Sequence, residues 1–223
     1  MGFKRSVAEP RPSSGVLTAR MVGIGMNFAG AAEADADIEA TLVHASSLGM
    51  DDGDLRVLSV LVTWLGVHHA HVNADRLVRL VAAHGSGRVR AFWSAIAVWL
   101  AADRRLARLV FKNAPIDLLP VGTDFQLKRK GEDERFAGSM LRVPRGTLRD
   151  REDDVLPPEV LAKRHAGYRN RIVIGPTWRA DVWTALEKAP HLSVSEAARR
   201  ASCSFATAWQ ASQDFKVLYP SPK

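Results

Sequence analysis

Apolar residues recur at helical spacing between about residue 37 and residue 112. Within residues 38–46 they share one face of a predicted helix, whereas residues 55–65 are apolar nearly all round, which predicts a buried central helix. Three further helical patterns follow before residue 112. Polar residues typical of N-caps precede three of these helices: Asp54, Asn73 and Asp103. Because the intervening loops are short, we expect a helical bundle of antiparallel neighbours over residues 31–112.

The segments on either side of this bundle have no helical period. Residues 1–30 hold two prolines and five glycines, which predicts a flexible arm. Residues 113–157 contain helix-breaking prolines and alternating charges, which predicts an irregular linker region with a small β element near residues 139–148. Helical spacing resumes at Pro158, a residue that is favoured in the first turn of a helix.

Three short helices are predicted between residues 177 and 218. Ser193 and Glu196 have the spacing of a capping box at the start of the second helix, and Ser204 is a typical N-cap for the third. The apolar faces of the first two helices can bury one face of the third and leave its outer face free for a major groove. The chain is therefore predicted to be mainly α, with the N-terminal bundle followed by a C-terminal helix-turn-helix module over residues 158–223.

Short motifs in the last two helices carry a resemblance to a known family. Residues 196–200 are similar to a glutamate-leucine-alanine run, Ser202-Cys203-Ser204 to a glycine-hydrophobe-serine turn, and Thr207-Ala208 to a threonine-valine pair. On these motifs, residues 193–215 resemble the helix-turn-helix of bacterial winged-helix transcriptional regulators. The resemblance implies a DNA-binding regulator of transcription that is not an enzyme.

Three dipeptide or tripeptide motifs ahead of this segment narrow the resemblance. Asn170-Arg171, Gly175-Pro176 and Arg179-Ala180-Asp181 resemble the lead-in of regulators encoded beside nucleotidyltransferases, the antitoxin type of abortive-infection systems. This likeness implies an antitoxin-like or autoregulatory role. It covers residues 170–218 and leaves the N-terminal bundle unmatched.

The sequence departs from the winged-helix pattern at two places. Ser212 stands where the family has a large aliphatic residue, so the third helix must pack through smaller side chains and Phe215. Residues 216–219 can supply one strand, which is less than the hairpin of a complete wing.

Geometry assigns roles to the module's polar residues if it binds double-stranded DNA. Five residues are placed to contact the phosphate backbone: Arg179, Arg199, Arg200, Ser204 and Lys216. Thr207 and Gln210 are the candidates for base edges, since an amide can bond bidentately to adenine. The recognition helix carries no arginine, so one module is expected to discriminate modestly and a homodimer on a two-fold site is expected.

Charge and composition fit this interpretation. The formal net charge is +7, and residues 161–223 carry ten basic against four acidic residues, which suits nucleic acid. Residues 31–60 carry seven acidic residues against Arg56, so the bundle is a candidate surface for dimerisation or a protein partner. With one cysteine, no recognisable secretory signal and no apolar run of roughly 18 residues, a cytoplasmic protein without a membrane span is expected.

Two alternatives to a DNA-binding regulator remain open. Arg79 and His84 have the spacing of HEPN-type ribonucleases, which are also helical bundles and need both side chains in one cleft. A protein-interaction scaffold would use the C-terminal helices for packing alone. His68, His69 and His71 lack a carboxylate or cysteine at companion spacing, so no metal site is expected, and no cofactor motif was found.

Overall fold

A computed structural model describes residues 11–219. The described chain is mainly helical, and its two short strands pair in parallel. The α-helices are α1 (Ser14–Gly23), α2 (Ile38–Met50), α3 (Leu55–His68), α4 (Ala74–Ala83), α5 (Gly87–Trp99), α6 (Thr123–Lys130), α7 (Pro158–Arg164), α8 (Ala166–Ile174), α9 (Trp178–Lys188), α10 (Val194–Arg200) and α11 (Phe205–Leu218). The strands are β1 (Ile116–Asp117) and β2 (Leu141–Arg142), and short 3-10 turns cover His69–His71, Arg104–Leu109 and Glu152–Asp154.

The predicted bundle is formed by α2 to α5. The side chains of Asp54, Asn73 and Asp103 accept hydrogen bonds from the backbone N–H groups of Val57, Arg76 and Arg105, so the three predicted N-caps are confirmed, the last at the start of a 3-10 turn. The central helix α3 is buried along most of its length, as its all-round apolar pattern predicts. Trp64 and Trp93 are fully buried in the core around it.

The prediction of a flexible arm over residues 1–30 is wrong for residues 14–26. Leu17, Met21 and Ile24 lie in the core on and just beyond α1, at the helical spacing i, i+4, i+7. The indole Nε1 of Trp64 donates to the carbonyl oxygen of Ile24 at 2.8 Å, which fixes the end of α1 to α3. The glycines around these residues made the short helical pattern hard to recognise in the sequence. Residues 1–10 of the predicted arm lie outside the described residues.

Residues 113–157 contain α6, which was not predicted, and are part of the first core instead of a linker. The predicted small β element is confirmed, because Ile116 of β1 pairs with Leu141 of β2. Phe136, Leu141 and Val143 are fully buried and pack in the same core as the bundle.

The boundary between the two cores lies later than the predicted residue 158. The helical pattern that begins there is divided by His165 into α7 and α8, and Tyr168 of α8 is still buried in the first core. The side-chain Nδ1 of His165 accepts from the backbone N–H of Tyr168, so this residue acts as the N-cap of α8. The second core begins at Val182 of α9.

Helices α9, α10 and α11 form a compact three-helix unit around the second core. Helix α11 continues to Leu218, so the prediction of a strand over residues 216–219 is wrong, and residues 11–219 contain no wing hairpin. In the same part of the chain, no helix has the length and apolar character needed to cross a membrane.

Candidate nucleic-acid interface

The turn between α10 and α11 is short and closed by backbone hydrogen bonds. The capping box of Ser193 and Glu196 starts α10, as predicted. After α10, Ser202 takes a left-handed backbone conformation with a φ of 54°. The winged-helix family that residues 193–215 resemble has glycine at this position. A non-glycine residue there costs about 1 kcal/mol of backbone strain. The backbone N–H of Cys203 donates to the carbonyl of Ala198 at 3.0 Å and closes the turn.

Helix α11 packs through small side chains and one aromatic ring. Ala208, Ala211 and Ser212 face the second core, and Phe215 makes an edge contact with Trp183, their ring centroids being 5.2 Å apart. Ser212 is small where the winged-helix family has a large aliphatic residue. Helix α11 therefore packs on the second core mainly through Phe215 and the two alanines. The opposite face of α11 is exposed to solvent: Phe205, Ala206, Trp209, Gln210, Lys216 and Val217.

Four of the seven predicted contact residues have exposed side chains that remain available to a ligand. They make no hydrogen bond and no ion pair with other residues of the described chain: Arg199, Arg200, Gln210 and Lys216. Arg199 and Arg200 lie at the end of α10, and Gln210 lies on the outer face of α11. This free set comprises three cations and one amide, the types of group that contact phosphate oxygens and base edges in protein–DNA complexes.

The other three predicted contact residues are used within the fold. Arg179 of α9 forms an ion pair with Asp214 of α11 at 3.1 Å and therefore joins two helices of the unit. Ser204 accepts a hydrogen bond from the backbone N–H of Thr207 as the N-cap of α11, and the two hydroxyl oxygens are 2.8 Å apart. The hydroxyl of Thr207 is thus directed to the start of its own helix.

The exposed face of α11 also carries apolar side chains. Phe205 and Trp209 are 55% and 48% exposed, and the helix ends in exposed Val217, Leu218 and Tyr219. The sequence indicates this exposed pair only through the i, i+4 spacing of Phe205 and Trp209 on the otherwise polar side of the helix. An exposed apolar stripe of this kind is typical of a surface that contacts another molecule.

A buried ion-pair network joins the three-helix unit to the first core. Arg171 of α8 donates to both carboxylate oxygens of Glu39 on α2, at 2.6 and 2.9 Å. Its Nε donates to Asp181 of α9 at 3.0 Å, and the side chain of Asn73 donates to the same carboxylate. Burial alone would lower the pKa of Arg171, but the charges of Glu39 and Asp181 raise it, so the guanidinium stays charged.

A second junction is formed by Arg79 of α4. Its guanidinium lies over the ring of Trp178 at 4.4 Å from the centroid, and it donates to the carbonyl of Ser202 at 3.2 Å. His84 lines the same cavity, of about 120 Å³, and its Nδ1 accepts from the backbone N–H of Ser86. Burial lowers the pKa of His84. The two residues of the ribonuclease alternative therefore share a cleft, but Arg79 holds the turn of the three-helix unit there.

The acidic residues of the bundle are largely neutralised within the chain. Asp37 pairs with Arg76, Glu39 with Arg171, and Asp35 lies 3.0 Å from the ammonium nitrogen of Lys188. The charge difference between the halves of the sequence therefore partly reflects contacts between them.

Comparison of the chain with family models, with curated proteins and with solved structures found no match. A function must therefore be argued from the geometry of the molecule. Within residues 11–219, no three His, Cys, Asp or Glu side chains gather in the way that a metal site requires.

Proposed function

We propose that this protein regulates transcription by binding double-stranded DNA through the unit formed by α9, α10 and α11. The observation that carries the proposal is the uncovered outer face of α11, which begins at a tight turn and presents Gln210. A helix of about 10–12 Å diameter fits a major groove about 12 Å wide. The proposal includes no catalytic step and places the protein in the cytoplasm.

The free cations of the unit support contact with the DNA backbone. Arg199 and Arg200 end α10 without an ion-pair partner in the described chain, and Lys216 is exposed near the end of α11. Counterions released from phosphates by such residues supply affinity that falls with salt. Gln210 would add discrimination by bonding to a base edge.

The lack of arginine on α11 favours action as a homodimer on a two-fold site, because one unit alone gives few base contacts. The resemblance of residues 170–218 to antitoxin-type regulators adds the proposal that the protein represses its own operon. The first core would then carry the dimer contact or the surface for a protein partner.

The test is a titration of the full chain against labelled duplex DNA from its own promoter region and against random duplex, at two salt concentrations. Arg199→Gln/Arg200→Gln should weaken binding to both duplexes and reduce the slope of log affinity against log salt by about 1.8, since each phosphate contact contributes about 0.9. Gln210→Ala should lower the preference for promoter DNA with little change in binding to random duplex.

The matched control is Arg90→Gln/Arg104→Gln, which removes two exposed arginines that have no side-chain partner in residues 11–219 and lie outside the unit. It removes the same total charge as the α10 variant. The proposal fails if wild-type protein does not prefer promoter DNA, or if both double variants weaken binding equally.

A second candidate function, a protein-interaction scaffold, is favoured by the exposed apolar side chains of α11. Phe205→Ser/Trp209→Ser removes two large apolar side chains without changing the net charge. For the scaffold, this variant should abolish capture of a partner protein while Arg199→Gln/Arg200→Gln has no effect. For the DNA-binding regulator, the arginine variant should have the larger effect on DNA affinity.

A further inference from the structure

A cavity of about 570 Å³ opens at the protein surface between the start of α3 and the segment that follows β2. Its lining includes three arginines: Arg56 on α3, and Arg149 and Arg151 at alternate positions of the later segment. The volume is within the range of roughly 300–1,000 Å³ found for small-molecule sites. The cavity is formed by residues that play no part in the proposed DNA contact.

Within the described part of the chain, none of these three guanidinium groups has a carboxylate partner. Among residues 11–219, Arg56, Arg149 and Arg151 form no ion pair and donate no side-chain hydrogen bond, although Arg56 lies 5.6 Å from the ring centroid of Phe28. Three solvent-exposed arginines without a carboxylate partner make the lining of this cavity electropositive. Such a lining favours an anionic ligand.

A second charged cavity, where the two cores meet, differs in this respect. It has a volume of about 250 Å³, and its charged residues largely neutralise one another, since Arg76 pairs with Asp37, Arg171 with Asp181 and Lys188 with Asp35. Among the arginines that line this second cavity only Arg200 lacks an ion-pair partner in the described chain, whereas all three arginines of the larger cavity lack one.

The charge and donor types of the larger cavity match a phosphate group. Asp154 is the one carboxylate in its lining, so the three arginines leave a net charge of about +2, which complements a phosphate monoester of charge about −2. Guanidinium groups donate in a planar fork that fits phosphate oxygens. Thr147 and Leu55 supply a hydroxyl and an apolar wall for the rest of a ligand.

We propose that this cavity binds a small molecule bearing a phosphate monoester, held by Arg56, Arg149 and Arg151. The concave shape favours a small ligand over the backbone of a nucleic acid, whose phosphates are diesters with a single charge each. The site is independent of the three-helix unit and of the proposed function.

The experiment is a calorimetric titration of the full chain with inorganic phosphate, adenosine 5′-monophosphate and adenosine at constant ionic strength. The two phosphate-bearing probes should bind and adenosine should not. Arg149→Gln/Arg151→Gln should weaken phosphate binding about tenfold for each guanidinium removed. Arg56→Gln, which changes a different element, should weaken it about tenfold by itself.

The matched control is again Arg90→Gln/Arg104→Gln, which should leave phosphate binding unchanged. Circular dichroism identifies any variant that does not fold. Failure of both phosphate-bearing probes to bind at millimolar concentration would overturn the proposal, as would equal weakening by the two double variants. If Arg149→Gln/Arg151→Gln lowers only the affinity for duplex DNA, the arginines belong to a DNA backbone contact instead.

Discussion

The two cores of the molecule are filled by different kinds of side chain. The first core contains fully buried large residues, among them Trp64, Phe92 and Trp93. The second core, in the three-helix unit, contains five alanines with Trp183 and Phe215 as its only buried aromatic residues in the described chain. Since apolar area removed from water sets the stabilisation, the second core contributes much less per helix than the first.

This difference explains why polar contacts accumulate at the junction between the cores. A unit with a small apolar core gains stability from attachment to a larger one, and the attachment here uses guanidinium groups. Arg171 bonds to α2 and α9 from α8, and Arg79 holds Trp178 and the turn at Ser202. The turn that leads into α11 is therefore held in part by a residue that lies outside the three-helix unit.

The largest expected effect comes from removing the charge at the centre of this junction. Arg171→Met removes the bidentate partner of the buried Glu39 and leaves it the backbone N–H of Asn73 and the more distant Arg76, which should lower the free energy of unfolding by about 3 kcal/mol. Urea denaturation monitored by tryptophan fluorescence measures the loss. Arg169→Met on the same helix is the control, because that side chain is about half exposed and its pair with Glu187 should contribute less than about 1 kcal/mol. Equal losses in the two variants would contradict a structural role for the network.

The second expected effect is a loss of stability in acid that arises in the first core. His68 is fully buried in the first core, where its Nδ1 is 2.7 Å from the hydroxyl of Tyr168 and its Nε2 is 3.0 Å from the carbonyl of Leu156. Burial lowers its pKa to about 4. The neutral ring is thus required in the folded state, whereas the unfolded chain takes up a proton below about pH 6.5. Stability from this group is complete above pH 6.5 and is lost as the pH falls toward 4.

His68 should lower the free energy of unfolding by about 3 kcal/mol between about pH 7 and about pH 4, because each unit of pKa shift corresponds to about 1.4 kcal/mol. This loss is measured as the difference in pH dependence between wild-type protein and His68→Gln, by urea denaturation at about pH 7 and about pH 4. His165 also has a pKa lowered chiefly by burial, and it is retained in both proteins. An identical pH dependence in both would show that His68 accepts a proton without disturbing the core.

Local features of both cores could be predicted from the sequence because they depend on neighbouring residues. The N-caps of α3, α4, α10 and α11 lie within three residues of the groups they bond, and the helical periods lie within one helix. The free side chains of Arg199 and Gln210 likewise lie on the exposed faces of amphipathic helices that the pattern predicts.

The features that the sequence did not predict depend on residues far apart in the chain. The burial of α1 rests on Trp64, 40 residues after Ile24, and the partner of Arg171 is Glu39, 132 residues away. The acidic bundle and basic C-terminal third predicted separate partners, yet Glu39 pairs with Arg171 and Asp35 with Lys188. No local sequence pattern shows whether a charged side chain is exposed to solvent or paired with a residue far away in the chain.

The smallest expected effect tests whether the second core unfolds as a separate unit. Ser204→Ala removes the N-cap of α11 and should cost about 1 kcal/mol of helix stability. Ser195→Ala, an exposed position of α10 whose side chain makes no hydrogen bond in the described chain, is the control and should change stability by less than about 0.5 kcal/mol.

Amide hydrogen exchange locates the effect of Ser204→Ala. If the unit opens separately from the first core, exchange in α10 and α11 should accelerate about fivefold, while the buried amides of α3 keep their wild-type rate. Acceleration of α3 by the same factor would mean that the two cores unfold together, and that the ion pairs of Arg171 couple them more tightly than the alanine-rich packing suggests. No acceleration in either helix would contradict the role of Ser204 as the residue that begins α11.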